Sequence, residues 1–212
     1  MGNRVLLTGD VLSVSGDSMK LRTIAYTKKN DQVQEWPQIH TVVLNGAKVT
    51  EGAKIQMIGK LDIFDKITKV SMDPASVQKV AKKATDPKTG YPLYKNIAEL
   101  KGRLAGEFQF FPRDAIAKKP PMAGFLVAVK DVVSGLDKLF KGVCFDHMAV
   151  AWDRVATPNS EITLGGRIRH REYDENGETK TILEVVGNKA VSKLSPAEVV
   201  DEFADYTPSE GF

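Results

Sequence analysis

The sequence predicts an all-β protein made of two five-stranded barrels. Three observations point there: short β-rich runs cut by turn residues, the return of the same five-run rhythm after a break at 74–96, and glycines at matching places in the two halves.

In the first half, NRVLLTGDVLSVS (3–15) and MKLRTIAYTKK (19–29) are rich in β-branched and aliphatic residues and bounded by Gly16-Asp17 and Asn30-Asp31. Runs at 39–45, 53–62 and 66–72 complete a set of five. PASVQKVAKKA opens on Pro74 and predicts a short helix, while DPKTGYPLY (86–94) is turn-rich and reads as linker. A second set follows at 98–111, 124–133, 143–152, 161–173 and 181–191. Ile58-Gly59-Lys60-Leu61 aligns with Gly165-Gly166-Arg167-Ile168, and Gly9 is answered by Gly102 and Gly106. Glycine weakens a strand, so its recurrence predicts bulges or sharp coiling where a small barrel closes. Five short strands with a long excursion before the third fit the partly open OB barrel better than a seven-stranded sandwich. The expected organisation is an OB domain at 1–73, a short helical or loop linker at 74–96, a second and main binding OB domain at 97–194, and a disordered acidic tail at 195–212.

The stretch GGRIRHREYDENGETK (165–180) carries the chemistry. In an extended chain, period two puts Arg167, Arg169, Arg171 and Tyr173 on one face and Gly166, Ile168 and His170 on the other. Asn176-Gly177 predicts a tight hairpin, which returns Lys180 on the partner strand. Three guanidinium groups in a row repel one another unless solvent, carboxylates or an anionic ligand offset the charge. Arginine grips phosphate and stacks on bases, and tyrosine stacks, so the ribbon predicts a nucleic-acid track. Other aromatics stand near bases: Tyr26 before Lys28, and Trp152 before Arg154. Read as a strand, Met148, Val150 and Trp152 share a face that suits either a base platform or the core.

Composition narrows the remaining classes. At 42% hydrophobic and 27% charged, the chain is an ordinary globular sequence. One cysteine, Cys144, excludes a disulfide framework within the chain, and the start MGNRVLLTGD has no apolar leader, so a cytoplasmic location is expected. Residues 195–212 hold five acids and no Lys or Arg, which leaves 30 bases against 22 acids in the rest: a basic body with an acidic tail. No P-loop, HExxH or nucleophile elbow occurs, and His40, His147 and His170 are scattered. No enzyme activity, cofactor, metal site or membrane partner is expected.

FDHMAVAWDRVA, followed by SEITLGGRIRHREYDENGETKTILEVV, resembles bacterial and bacteriophage single-stranded-DNA-binding proteins over about a quarter of the chain. The resemblance implies that Trp152 stacks on a base and that Arg167, Arg169 and Arg171 line the path of the strand. It also implies a sequence-nonspecific coat for single-stranded DNA in replication, recombination and repair, and a homodimer, since two-OB members pair in twos. Asp153 replaces the family's usual glycine. The first half offers only Lys54 and Lys60 on its fourth run, with Tyr26, Trp36 and Phe64 as aromatics, so the second half is expected to bind more tightly. The family's tail recruits partner proteins; here Asp201, Glu202, Asp205, Glu210 and Phe212 would do so, although Val199, Val200, Phe203 and Tyr206 also suit an amphipathic turn packed on the body. A divergent tandem form with a short tail suits a phage, in a host cytoplasm. Two other readings remain open, an OB scaffold that binds no DNA and an RNA-binding module.

Overall fold

The computed structural model describes residues 2–192 except 115, 117 and 118, so the acidic tail lies outside the described residues. Eleven strands and one α-helix follow in chain order: β1 (Asn3–Ser15), β2 (Ser18–Lys29), β3 (Gln32–Val43), β4 (Lys54–Phe64), β5 (Ile67–Met72), β6 (Gln78–Lys79), β7 (Lys95–Phe111), β8 (Met122–Lys130), β9 (Asp137–Phe145), α1 (Asp146–Val155), β10 (Glu161–Glu175) and β11 (Glu178–Ser192). They fall into two compact units. One holds residues 4–97 and 172–182; the other holds 98–171 with the chain start and 183–192.

Each unit closes a ring of strands. In the first, β1 pairs with β2, β2 with β3, β3 runs parallel to β5, β5 pairs with β4, and β4 returns to β1. In the second, β7 pairs with β8, β8 with β9, β9 runs parallel to β11, β11 neighbours β10, and β10 returns to β7. The matched glycines explain the closure. A Cβ on Gly9 would collide with the Arg22 carbonyl, and one on Gly102 with the Ala128 carbonyl; Gly59 and Gly166 stand in the same way against Ser71 and Val186. Gly106 sits at φ 75° within the register shift between β7 and β8, where β7 carries two extra residues.

Period two fills both interiors. Val5, Leu7, Leu21, Val42, Met57, Leu61 and Val70 are at most 1% exposed in the first ring, and Leu100, Leu104, Val127, Phe140, Leu164, Ile168 and Val185 likewise in the second. His40 is also enclosed, its Nε2 2.9 Å from Thr23 Oγ1. Asn30-Asp31, Asp65-Lys66 and Asn176-Gly177 all have positive φ and turn three tight hairpins.

Two expected elements are corrected. The run 143–152 is not a strand throughout: β9 ends at Phe145, Asp146 takes φ 54°, and α1 begins. Met148, Ala149 and Trp152 stand three and four apart and share the buried face of that helix, a spacing that alternation in the sequence had disguised. The helix expected from Pro74 is only a 3₁₀ turn over Pro74–Ser76, capped by Asp73. Beyond it the chain extends instead, because β6 finds a ladder on β4 through Ile55↔Lys79 and Gln56↔Gln78. The segment expected as linker therefore belongs to the first unit.

Candidate nucleic-acid interface

Along β10 the faces alternate as expected. Ile162, Leu164 and Ile168 are buried, while Arg167 and Arg171 are exposed and Arg169 is partly so. The fold itself supplies a counter-charge to two of the three arginines. Arg169 donates from Nε to Glu184 Oε1 at 2.8 Å and from Nη2 to the same oxygen, and Arg171 Nε lies 3.7 Å from Glu184 Oε2. The Glu184 side chain is 1% exposed, so these guanidiniums are its partners inside the fold. Arg169 also lies over the Phe145 ring, 5.1 Å from its centroid. Arg167 makes no ion pair among the described residues. Tyr173 and Lys180 lie in 172–182, which groups with the first unit.

Trp152 is a correction. It is 2% exposed, stacked on Phe125 at 5.2 Å and 2°, with Phe108 continuing the slab at 6.3 Å from the indole. No base can reach it. Its neighbour Arg154 is exposed in the last turn of α1, where a cation suits the negative end of the helix dipole.

The first ring carries a second cluster. Asp10 accepts from Arg22 Nη2 at 2.9 Å and from the Tyr94 hydroxyl at 2.7 Å. Lys54 Nζ sits 3.9 Å over the Tyr94 ring, and Tyr26 packs on Tyr91 at 5.1 Å and on Tyr94 at 6.3 Å. Burial pushes the Asp10 carboxyl up, but the hydrogen bonds from Arg22 and Tyr94 and the charges of Arg22 and Lys54 together hold it below its usual value. Burial, then the bond to Asp10, pushes Tyr94 up to about 12. Burial lowers Lys54 against the pull of Asp10, and burial followed by Glu35 raises Tyr26. Lys54, expected to meet phosphate, is 3% exposed and engaged with Tyr94. That expectation is corrected too: its position opposite Asp10 on β1 turns it towards the tyrosines.

Three expected groups remain on the surface of this unit. Trp36 is 47% exposed, and its indole N–H donates to Thr27 Oγ1 at 2.9 Å. Lys28 pairs with Asp31 at 2.7 Å and Lys60 with Asp62 at 3.5 Å, both near solvent. Asp10, Arg22, Tyr91 and Tyr94 escaped the sequence reading. The signal available for them was the pair of tyrosines in Y-P-L-Y, unusual in a linker. Asp201, Glu202, Asp205, Glu210 and Phe212 lie outside the described residues. Among the described residues no group of three or more His, Cys, Asp or Glu could hold a metal, and no helix is long and apolar enough to cross a membrane.

Comparison with solved structures places this architecture. The wild-type single-stranded DNA binding protein from Thermus aquaticus matches 99% of this chain with 96% of its own, at 13% identity and a TM-score of 0.65. A deletion mutant of the same protein matches with 98% coverage of both chains, 14% identity and a TM-score of 0.64. No protein-family model and no curated protein matches the sequence. The likeness is one of fold.

Proposed function

We propose that this chain is a tandem OB-fold protein that coats single-stranded DNA with little sequence preference. The observation that carries the reading is the match of the whole chain, both rings together, to a single-stranded-DNA-binding protein. Trp36 is an aromatic that remains open to a base: its ring stands half-exposed on the β2–β3 ribbon, opposite Ala25 and held by Thr27 on the paired strand. Stacking on one ring contributes about 1–3 kcal/mol and does not discriminate among bases. Arg167, and the outer N–H groups of Arg171, would meet phosphates by exchange with bound counterions. The mechanism is non-covalent, without cofactor. The acidic tail would bring replication, recombination and repair proteins to the coated strand, and two chains would pair as a dimer in the cytoplasm.

Titration with oligo-dT tests this directly. Quenching of tryptophan fluorescence is expected to come from Trp36 alone: Trp36→Phe removes it, while Trp152→Phe leaves it intact. If Trp36→Phe quenches as strongly as the parent, the ribbon is not the path. Absence of any salt-sensitive binding would favour the scaffold reading.

A further inference from the structure

We propose that residues 195–212 dock on an open groove of the second ring, in the same manner as residues 73–94 dock on the first. Strand registers identify the matching places. Asp10 stands opposite Arg22 and Lys54 in one ring; Arg103 stands opposite Ala128 and Glu161 in the other. In the first ring that place is filled, because Tyr94 reaches Asp10 and lies against Lys54 while Tyr91 covers Tyr26. In the second it is a groove of about 870 Å³, with Lys101, Arg103, Lys130, Leu136, Asp137 and Glu161 in its lining.

The sequence supplies an occupant. The segment that fills the first site reads Asp73-Pro74-Ala75-Ser76-Val77 and, further on, Pro87-Lys88-Thr89-Gly90-Tyr91. The tail reads Ser195-Pro196-Ala197-Glu198-Val199 and then Pro208-Ser209-Glu210-Gly211-Phe212. Both keep Pro-Ala-x-Val followed by Pro-x-x-Gly-aromatic, with the two prolines 13 and 12 positions apart. The tail thus repeats the arm from Pro74 to Tyr91, with Phe212 as the counterpart of Tyr91, while the match does not extend to Tyr94.

Charge and apolar surface agree. The arm carries Lys79, Lys82, Lys83 and Lys88, whereas the tail has five acids and no base. At the matching places the charges are exchanged: Asp10 is replaced by Arg103, Lys54 by Glu161 and Arg22 by Ala128, while Lys101 and Lys130, which have no ion-pair partner among the described residues, bring cations to the lining. Tyr91 rests on Tyr26, four residues beyond Arg22; four residues beyond Ala128 stands Val132. Val132, Val133 and Leu136 are 90%, 91% and 69% exposed. Their turn is nevertheless fixed, by Asp131 N to Leu136 O, Gly135 N to Asp131 O and Val133 N to Asp131 Oδ1. Aliphatic side chains held out of an ordered turn mark a contact surface, and an aromatic from an acidic segment satisfies both the lip and the lysines. Nucleic acid fits less well, since the lining has no aromatic ring on which a base could stack.

Methyl NMR of the full chain tests the docking independently of DNA binding. The Val132, Val133 and Leu136 methyl signals are expected to move to the same new positions in Phe212→Leu, in Lys101→Glu with Lys130→Glu, and in the chain ending at Leu194. Adding Glu198→Lys, Asp201→Lys and Glu202→Lys to the lysine double variant should restore them at least in part. Signals that ignore all these changes overturn the proposal. So do shifts that grow with protein concentration, which would place a second copy there, and shifts seen only with oligo-dT. Oligo-dT affinity, followed separately by Trp36, reports on the coat reading alone.

Discussion

Tyr94 shows how one residue outside the barrel strands can fix a site. Its hydroxyl donates to Asp10 and its ring covers Lys54, so one side chain stabilises a part-buried carboxylate and shelters a buried base. Its pKa rises from 10.0 to about 12 through burial and the Asp10 bond. A raised value means that the fold favours the neutral phenol: the contribution is complete below pH 10 and disappears as pH climbs towards about 12. Urea unfolding of Tyr94→Phe should therefore lose part of that alkaline dependence and be less stable at pH 8, by about 1 kcal/mol for the missing hydrogen bond. Asp10, held below its usual value, acts in the opposite direction, stabilising above its unfolded pKa near 3.8 and losing the effect as pH falls below it. Alternation alone put Tyr26 beside lysines, but no local pattern could reveal that Tyr91 and Tyr94, some 65 residues away, would cover it.

The β10–β11 hairpin is the element that decides how much cation is available to a ligand. Counting outward from Asn176-Gly177 sets Arg169 opposite Glu184, so this pairing was legible in the sequence once the turn had been read. The corresponding pair in the first ring is Asp62 opposite Lys69, the same place with the signs exchanged. What the sequence left open was burial: Glu184 is enclosed, and its Oε2 accepts no hydrogen bond among the described residues. Glu184→Gln keeps an acceptor for Arg169 but removes the internal counter-charge. Oligo-dT should bind more tightly and with a steeper salt dependence, while urea unfolding shows a loss of roughly 1–3 kcal/mol. An unchanged salt slope would mean that Arg169 and Arg171 lie off the path of the strand.

At the scale of the whole molecule the balance of charge governs association. Thirty bases against 22 acids outside the tail favour a polyanion, and the five tail acids moderate that field. If the chain holds three phosphates, raising monovalent salt from about 50 to 200 mM should weaken oligo-dT binding about twentyfold. Equilibrium titration at both salts checks this, and an affinity indifferent to salt would count against a coat. Two rings, their glycines, their hairpin turns and the faces of their strands were determined by the sequence itself, because period two and positive-φ turns depend on near neighbours. The fate of Trp152, Lys54 and the 74–96 segment was decided only in three dimensions. A helix rather than a strand carried the indole into an aromatic slab, and a remote arm closed over the lysine, since burial depends on what distant chain arrives to cover a face.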